Sequence, residues 1–128
     1  MATILLIDDD DQFRYTAKQM LEIDKHRVIE ATEGHEALNM LEQNARNIDM
    51  VVTDICMPGM DGTELILTLR KRYPSLPVLA ISGGQRTLNS RFTLGSARMA
   101  GAEQTLAKPV SLADFRSAIR TGLQAGAS

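Results

Sequence analysis

Five short apolar runs alternate along this chain with segments whose apolar residues recur at helical spacing, and no other feature restricts its fold as much. Residues 3–7 (Thr-Ile-Leu-Leu-Ile) form a continuous apolar run that stops at four aspartates, Asp8 to Asp11, as a buried strand does where it meets a loop. Residues 26–31, 49–53, 77–81 and 103–107 read as the other strands. Between them, residues 11–22 place Phe13, Ala17, Met20 and Leu21 on one helical face, with Asp10 or Asp11 able to cap its free N–H groups. Residues 34–44 bury Ala37, Leu38 and Leu41, and residues 63–72 bury Leu65, Ile66 and Leu69 before Pro74 ends the helix. Residues 88–100 read as helix around Phe92 and Met99, although Gly95 weakens that pattern. Ser111 can cap a last helix carrying Phe115, Ala118, Ile119 and Leu123, and the tail from Ala125 to Ser128 is expected to fray.

Alternation of this kind predicts an α/β fold, a doubly wound five-stranded parallel sheet covered by helices on both faces. Right-handed crossovers then carry every strand's C-terminal end to one edge, where ligands of such sheets bind. A length of 128 residues suits one domain over the whole chain, with a core of about residues 3–123. No apolar run approaches the ~18 residues of a membrane span, and the N-terminus lacks a signal peptide's basic-then-apolar order. The single cysteine, Cys56, has no internal partner for a disulfide, so the default expectation is a soluble cytoplasmic protein. Charge is uneven. Residues 1–84 carry eight Lys/Arg against fourteen Asp/Glu, a net of −6, and residues 85–128 carry six against two, a net of +4. The basic end is either a solvated face or a surface for an acidic partner.

Function then depends on the residues at the strand ends. Strand one leads to Asp8 and Asp9, strand three to Asp54, strand four to Ser82, and strand five to Lys108-Pro109. With sheet order 2-1-3-4-5, three carboxylates converge with a hydroxyl and an ammonium beside them. Carboxylates this close repel unless a cation sits among them, and an all-oxygen donor set suits a hard ion such as Mg²⁺. One aspartate remains free to act as a covalent phosphoryl acceptor, while lysine and metal offset the charge on the transferring oxygens. Each residue alone has a plainer reading, as a helix cap, a turn residue or a surface lysine. Four of five strand ends carrying all of them is not a coincidence of composition.

In order and spacing, Ile-Asp8-Asp9-Asp10, Thr-Asp54-Ile-Cys-Met57-Pro58-Gly-Met-Asp61-Gly62, Ile-Ser82-Gly83 and Lys108-Pro109-Val resemble the response-regulator receiver domains of two-component signalling. The resemblance runs from Thr3 to about Leu123 and implies the flavodoxin-like, CheY-like sheet. It implies that Asp54 accepts phosphate from a histidine kinase or a phosphotransfer protein. It implies that Asp9 and Asp54 bind Mg²⁺ with the backbone carbonyl of Cys56, and Asp8 through water. Ser82 would be the switch hydroxyl, and Lys108 would pair with the acceptor and then with its phosphate across a cis bond to Pro109. An output protein would dock on the face of the fourth helix, fifth strand and last helix. Beyond its own phosphorylation and dephosphorylation such a domain catalyses nothing, and neither nucleic acid nor membrane is an expected direct partner.

Three departures stand out. Thr105 occupies the place of the family's aromatic switch residue. Gly83-Gly84 follows the switch serine and is expected to make that loop mobile. The side chains flanking the acceptor, at Cys56 and Gly84, offer no carboxylate or amide to orient a hydrolytic water, so slow self-dephosphorylation is expected. Two rivals fit less well. A flavin or nucleotide site needs a Gly- or Ser/Thr-rich loop after strand one, where this chain has four aspartates. An aspartate-nucleophile phosphohydrolase keeps its nucleophile early in the chain and usually adds a cap domain.

Overall fold

The computed structural model describes residues 2–44, 47–55, 62–82 and 101–127, with side chains described to residue 125. Elements run in the order β1 (Thr3–Ile7), α1 (Asp11–Ile23), β2 (Arg27–Ala31), α2 (Gly34–Asn44), β3 (Met50–Asp54), α3 (Gly62–Arg72), β4 (Val78–Ser82), β5 (Gln104–Ala107) and a last helix, here α4 (Leu112–Ala127). The sheet is parallel throughout, in the order β2-β1-β3-β4-β5. The helix expected over residues 88–100 and the Gly83-Gly84 loop lie outside the described residues.

Side-chain alternation divides the core in two. Leu5 and Ile7 of β1, Val51 of β3, and Val78 and Ala80 of β4 face one side and pack with Leu38 and Leu41 of α2 and Leu65, Ile66 and Leu69 of α3. Ile4 and Leu6, Met50 and Val52, and Leu79 and Ile81 face the other side, against Ala17 and Leu21 of α1 and Phe115, Ala118 and Ile119 of α4. The three central strands are therefore covered on both faces, and for that reason they read as unbroken apolar runs rather than alternating ones.

Caps set the helix starts. Asp10, at φ −82°, accepts from the backbone N–H groups of Gln12 and Phe13, and the Ser111 hydroxyl accepts from Asp114 N at 3.0 Å. β3 and β4 each run one residue past their apolar segment, to Asp54 and Ser82, because the ladder pairs backbone and ignores side-chain polarity. α4 continues to Ala127, further than the expected end before Ala125, since no proline intervenes; Ser128 lies outside the described residues.

Candidate functional site

Register builds the site. Ile7 pairs with Thr53, Asp54 with Ile81, and Ser82 with Ala107. The residues at or just beyond these positions, Asp8, Asp54, Ser82 and Lys108, therefore meet at one edge of the sheet. Asp8 N donates to Ala31 O at 3.1 Å and Lys108 N to Ser82 O at 2.8 Å, so the sheet's hydrogen bonding extends to both residues before the chain turns. Lys108 and Pro109 are joined by a cis peptide bond.

Asp8, Asp54 and Ser82 are buried, which is unusual for a carboxylate and tolerable only with partners. Each of Asp8, Asp9 and Asp54 offers an oxygen, and these oxygens all lie within 4.8 Å of one another. The Lys108 ammonium answers them, with Nζ 2.9 Å from Asp8 Oδ2, 3.6 Å from Asp54 Oδ2 and 3.9 Å from Asp10 Oδ2. The ring of Phe13 closes another side, its centroid 4.2 Å from Nζ. Burial nonetheless pushes the Asp8 carboxyl up to about 6, with Asp54 adding repulsion, against the lowering effects of the Asp10 N–H and of Lys108. Ser82 Oγ is buried and has no hydrogen-bond partner among the described residues, so its hydroxyl is available to a group entering the cleft.

One supporting residue is not legible in the sequence. Arg14 Nη1 donates to the Asp8 carbonyl at 2.8 Å, while Arg14 Nε meets Glu30 at 3.1 Å and Nη2 meets Asp11 at 2.7 Å. It pins the turn after β1 from the flank of α1. Nothing in the sequence singles out one arginine on a charged helix face for this task. Helical spacing assigns Phe13 to the core alone. It does pack there, and it also faces Lys108. Thr105 is half-buried on β5 opposite Ala80, as the sequence positions it. Cys56 lies outside the described residues.

Asp8, Asp9 and Asp54 form an all-oxygen, net-negative donor set beside the Lys108 ammonium, which suits a hard divalent cation that keeps some of its waters. Such a cation, if held there, would flank a carboxylate together with Lys108, and a buried hydroxyl sits at the end of the adjacent strand. This arrangement can hold a phosphoryl group on Asp54.

A family model described as the response regulator receiver domain matches residues 4–120. A sensor kinase, CckA of Brucella abortus, is 32% identical over 123 residues, covering 96% of this chain and 13% of its own length. The response regulator GtcR of Aneurinibacillus migulanus is 36% identical over 107 residues, covering 84% of this chain and 41% of its own. The chain thus spans less than half the length of either relative. Among solved structures, a response regulator receiver domain protein from Clostridium thermocellum superposes with a TM-score of 0.88 at 31% identity, covering 97% of this chain and 95% of that one. A CheY-like receiver domain protein from Methanospirillum hungatei gives 0.86 at 27% identity, covering 99% and 97%.

Proposed function

The chain belongs to the response regulator receiver domain family of two-component signalling, and from that premise we propose that it is a phosphorylation switch whose acceptor is Asp54. The observation that carries this reading is the convergence of Asp8, Asp9, Asp54, Ser82 and Lys108 from four strand ends, with Lys108 Nζ 3.6 Å from Asp54. A carboxylate oxygen of Asp54 attacks phosphorus, the phosphorus–nitrogen bond of the donor phosphohistidine breaks, and the imidazole leaves with a proton. Lys108 neutralises the transferring oxygens, and Ser82 donates its hydroxyl to the bound phosphoryl group. Mg²⁺, when held by Asp9 and Asp54 with the Cys56 carbonyl, and by Asp8 through water, supplies further positive charge at those oxygens.

In this reading the whole chain is one receiver unit and a cytoplasmic signalling domain that turns over no separate substrate. A sensor histidine kinase or phosphotransfer protein loads it. An output protein reads it on the face of the segment before β5, β5 itself and α4, without direct contact to nucleic acid or membrane. Thr105, a small half-buried residue at the position of the family's aromatic switch, has no ring to rotate, so this reading assigns it no coupled serine–aromatic switch. Phosphoramidate with Mg²⁺ should add one acid-stable, base-labile phosphoryl group, and Asp54→Asn should abolish it; equal labelling of that variant by mass spectrometry would sink the assignment. Hydrolysis of the acyl phosphate should be slow. Introducing Cys56→Glu or Gly84→Gln should shorten its lifetime, and a parent lifetime of seconds that neither change alters would contradict this account.

A further inference from the structure

Among the described residues, four groups face the Lys108 ammonium: Asp8 at 2.9 Å, Asp54 at 3.6 Å, Asp10 at 3.9 Å and the Phe13 ring at 4.2 Å to its centroid. The three carboxylates all have other duties. Asp54 changes from carboxylate to acyl phosphate, Asp8 belongs to the cluster fit to share a cation, and Asp10, the most distant of the three, spends its other oxygen capping α1. The ring, unlike Asp8 and Asp54, is the same before and after phosphorylation. Its position is fixed from two directions. Phe13 N donates to Asp10 Oδ1 at 3.2 Å in the first turn of α1, and the ring packs against the core shared by α1 and α4. A ring face attracts a cation through its quadrupole, and the attraction grows when both partners are partly withdrawn from water. Both are, since Phe13 is half-buried and the Lys108 side chain is 17% exposed.

We infer that Phe13 is a positioning residue for Lys108, its ring face holding the ammonium at the phosphoryl site while Asp8 and Asp54 change partners. The inference rests on the reading of Asp54 as acceptor, but the contact itself can be tested without phosphorylation. A leucine at this position would fill the same core and lack the quadrupole. Tyrosine would keep both.

Ring current should shift the ε-methylene protons of Lys108 upfield in the unphosphorylated protein, with assignment by Lys108→Met. Phe13→Leu should return them to the ordinary lysine position and Phe13→Tyr should retain the shift. With phosphoramidate and Mg²⁺, Phe13→Leu should lower the limiting phosphorylation rate about 10-fold, the scale of a partly desolvated cation–π contact, with the half-saturating donor concentration little changed. Phe13→Tyr should restore that rate, and adding Phe13→Leu to Lys108→Met should cost nothing more. An unshifted Lys108 in the parent, or the same loss from Phe13→Leu with and without Lys108, overturns the inference. Labelling of Asp54→Asn as in the parent, with the ring-current shift intact, would instead overturn the acceptor and leave the contact standing.

Discussion

Asp8 carries the largest electrostatic strain resolved in the cleft. Its carboxyl titrates near 6 because burial penalises the charge more than the Asp10 N–H and Lys108 relieve it. The native state therefore holds this proton more tightly than the unfolded chain does. Asp8's contribution to stability is full below about pH 4 and is lost as pH rises through about 6, on the order of 2 kcal/mol by neutrality. In urea unfolding without divalent metal, the stability of Asp8→Asn relative to the parent should rise by that amount between pH 4.5 and pH 7. A difference independent of pH would show that the strain lies elsewhere. A cation among the three aspartates should offset the same repulsion. Mg²⁺ at 100 times its dissociation constant should add about 2.7 kcal/mol, and Asp9→Ala should remove most of that gain in a melting experiment. An unchanged response in Asp9→Ala would place the ion elsewhere.

At the scale of elements, two backbone positions govern how helices meet the sheet. α1 ends at Ile23 with Asp24 as its C-cap, and Lys25 follows at φ 63°, with its N–H donating to Glu22 O at 2.9 Å while His26 N reaches Leu21 O at 3.2 Å. This is the left-handed residue that closes a helix, a place that favours glycine. Lys25→Gly should stabilise the domain by about 0.5–1 kcal/mol in thermal unfolding, and destabilisation would show that the lysine side chain matters more than its backbone. Gly62 begins α3, and its N–H donates to Ile55 O at 2.7 Å. A Cβ there would come within 2.3 Å of the Ile55 Cα, and that atom cannot move without moving the end of β3. Gly62→Ala should cost about 3 kcal/mol and slow Asp54 phosphorylation along with it. A stable variant with a displaced site would show that α3 can shift independently of β3.

At the scale of the whole molecule, a single sheet separates two apolar clusters, so neither can persist once the sheet is lost. Leu69→Ala on the α2–α3 side and Ile119→Ala on the α1–α4 side should each cost about 3 kcal/mol. Far-UV circular dichroism and tyrosine fluorescence should report one coincident unfolding transition in both variants. Separate transitions would mean that each face folds on its own. The charge asymmetry is a property of this scale as well. The acidic cleft lies at one edge of the sheet, and residues 85–128 carry a net positive charge because they hold only two acidic residues against six basic ones. Raising ionic strength should therefore weaken loading by a protein donor more than loading by phosphoramidate.

Unbroken apolar runs in residues 3–7, 49–53 and 77–81 could be read as buried parallel strands because only a sheet covered on both faces tolerates them. The polar residues that end those runs were legible too, since a charge directly after a buried strand has few places to go. Asp8, Asp9, Asp54 and Ser82 could thus be named from the sequence, and Lys108 after the fifth strand with them, while the sheet order that brings them together came from the resemblance to receiver domains. Local pattern did not show how those groups share the space. Lys108 sits closer to Asp8 than to Asp54, Asp8 is pushed toward neutrality, Arg14 pins the turn behind it, and Phe13 turns its ring to the ammonium. These outcomes depend on distances between residues as much as 100 positions apart. Attraction and desolvation change steeply over an ångström or two, so the packed tertiary structure alone decides them.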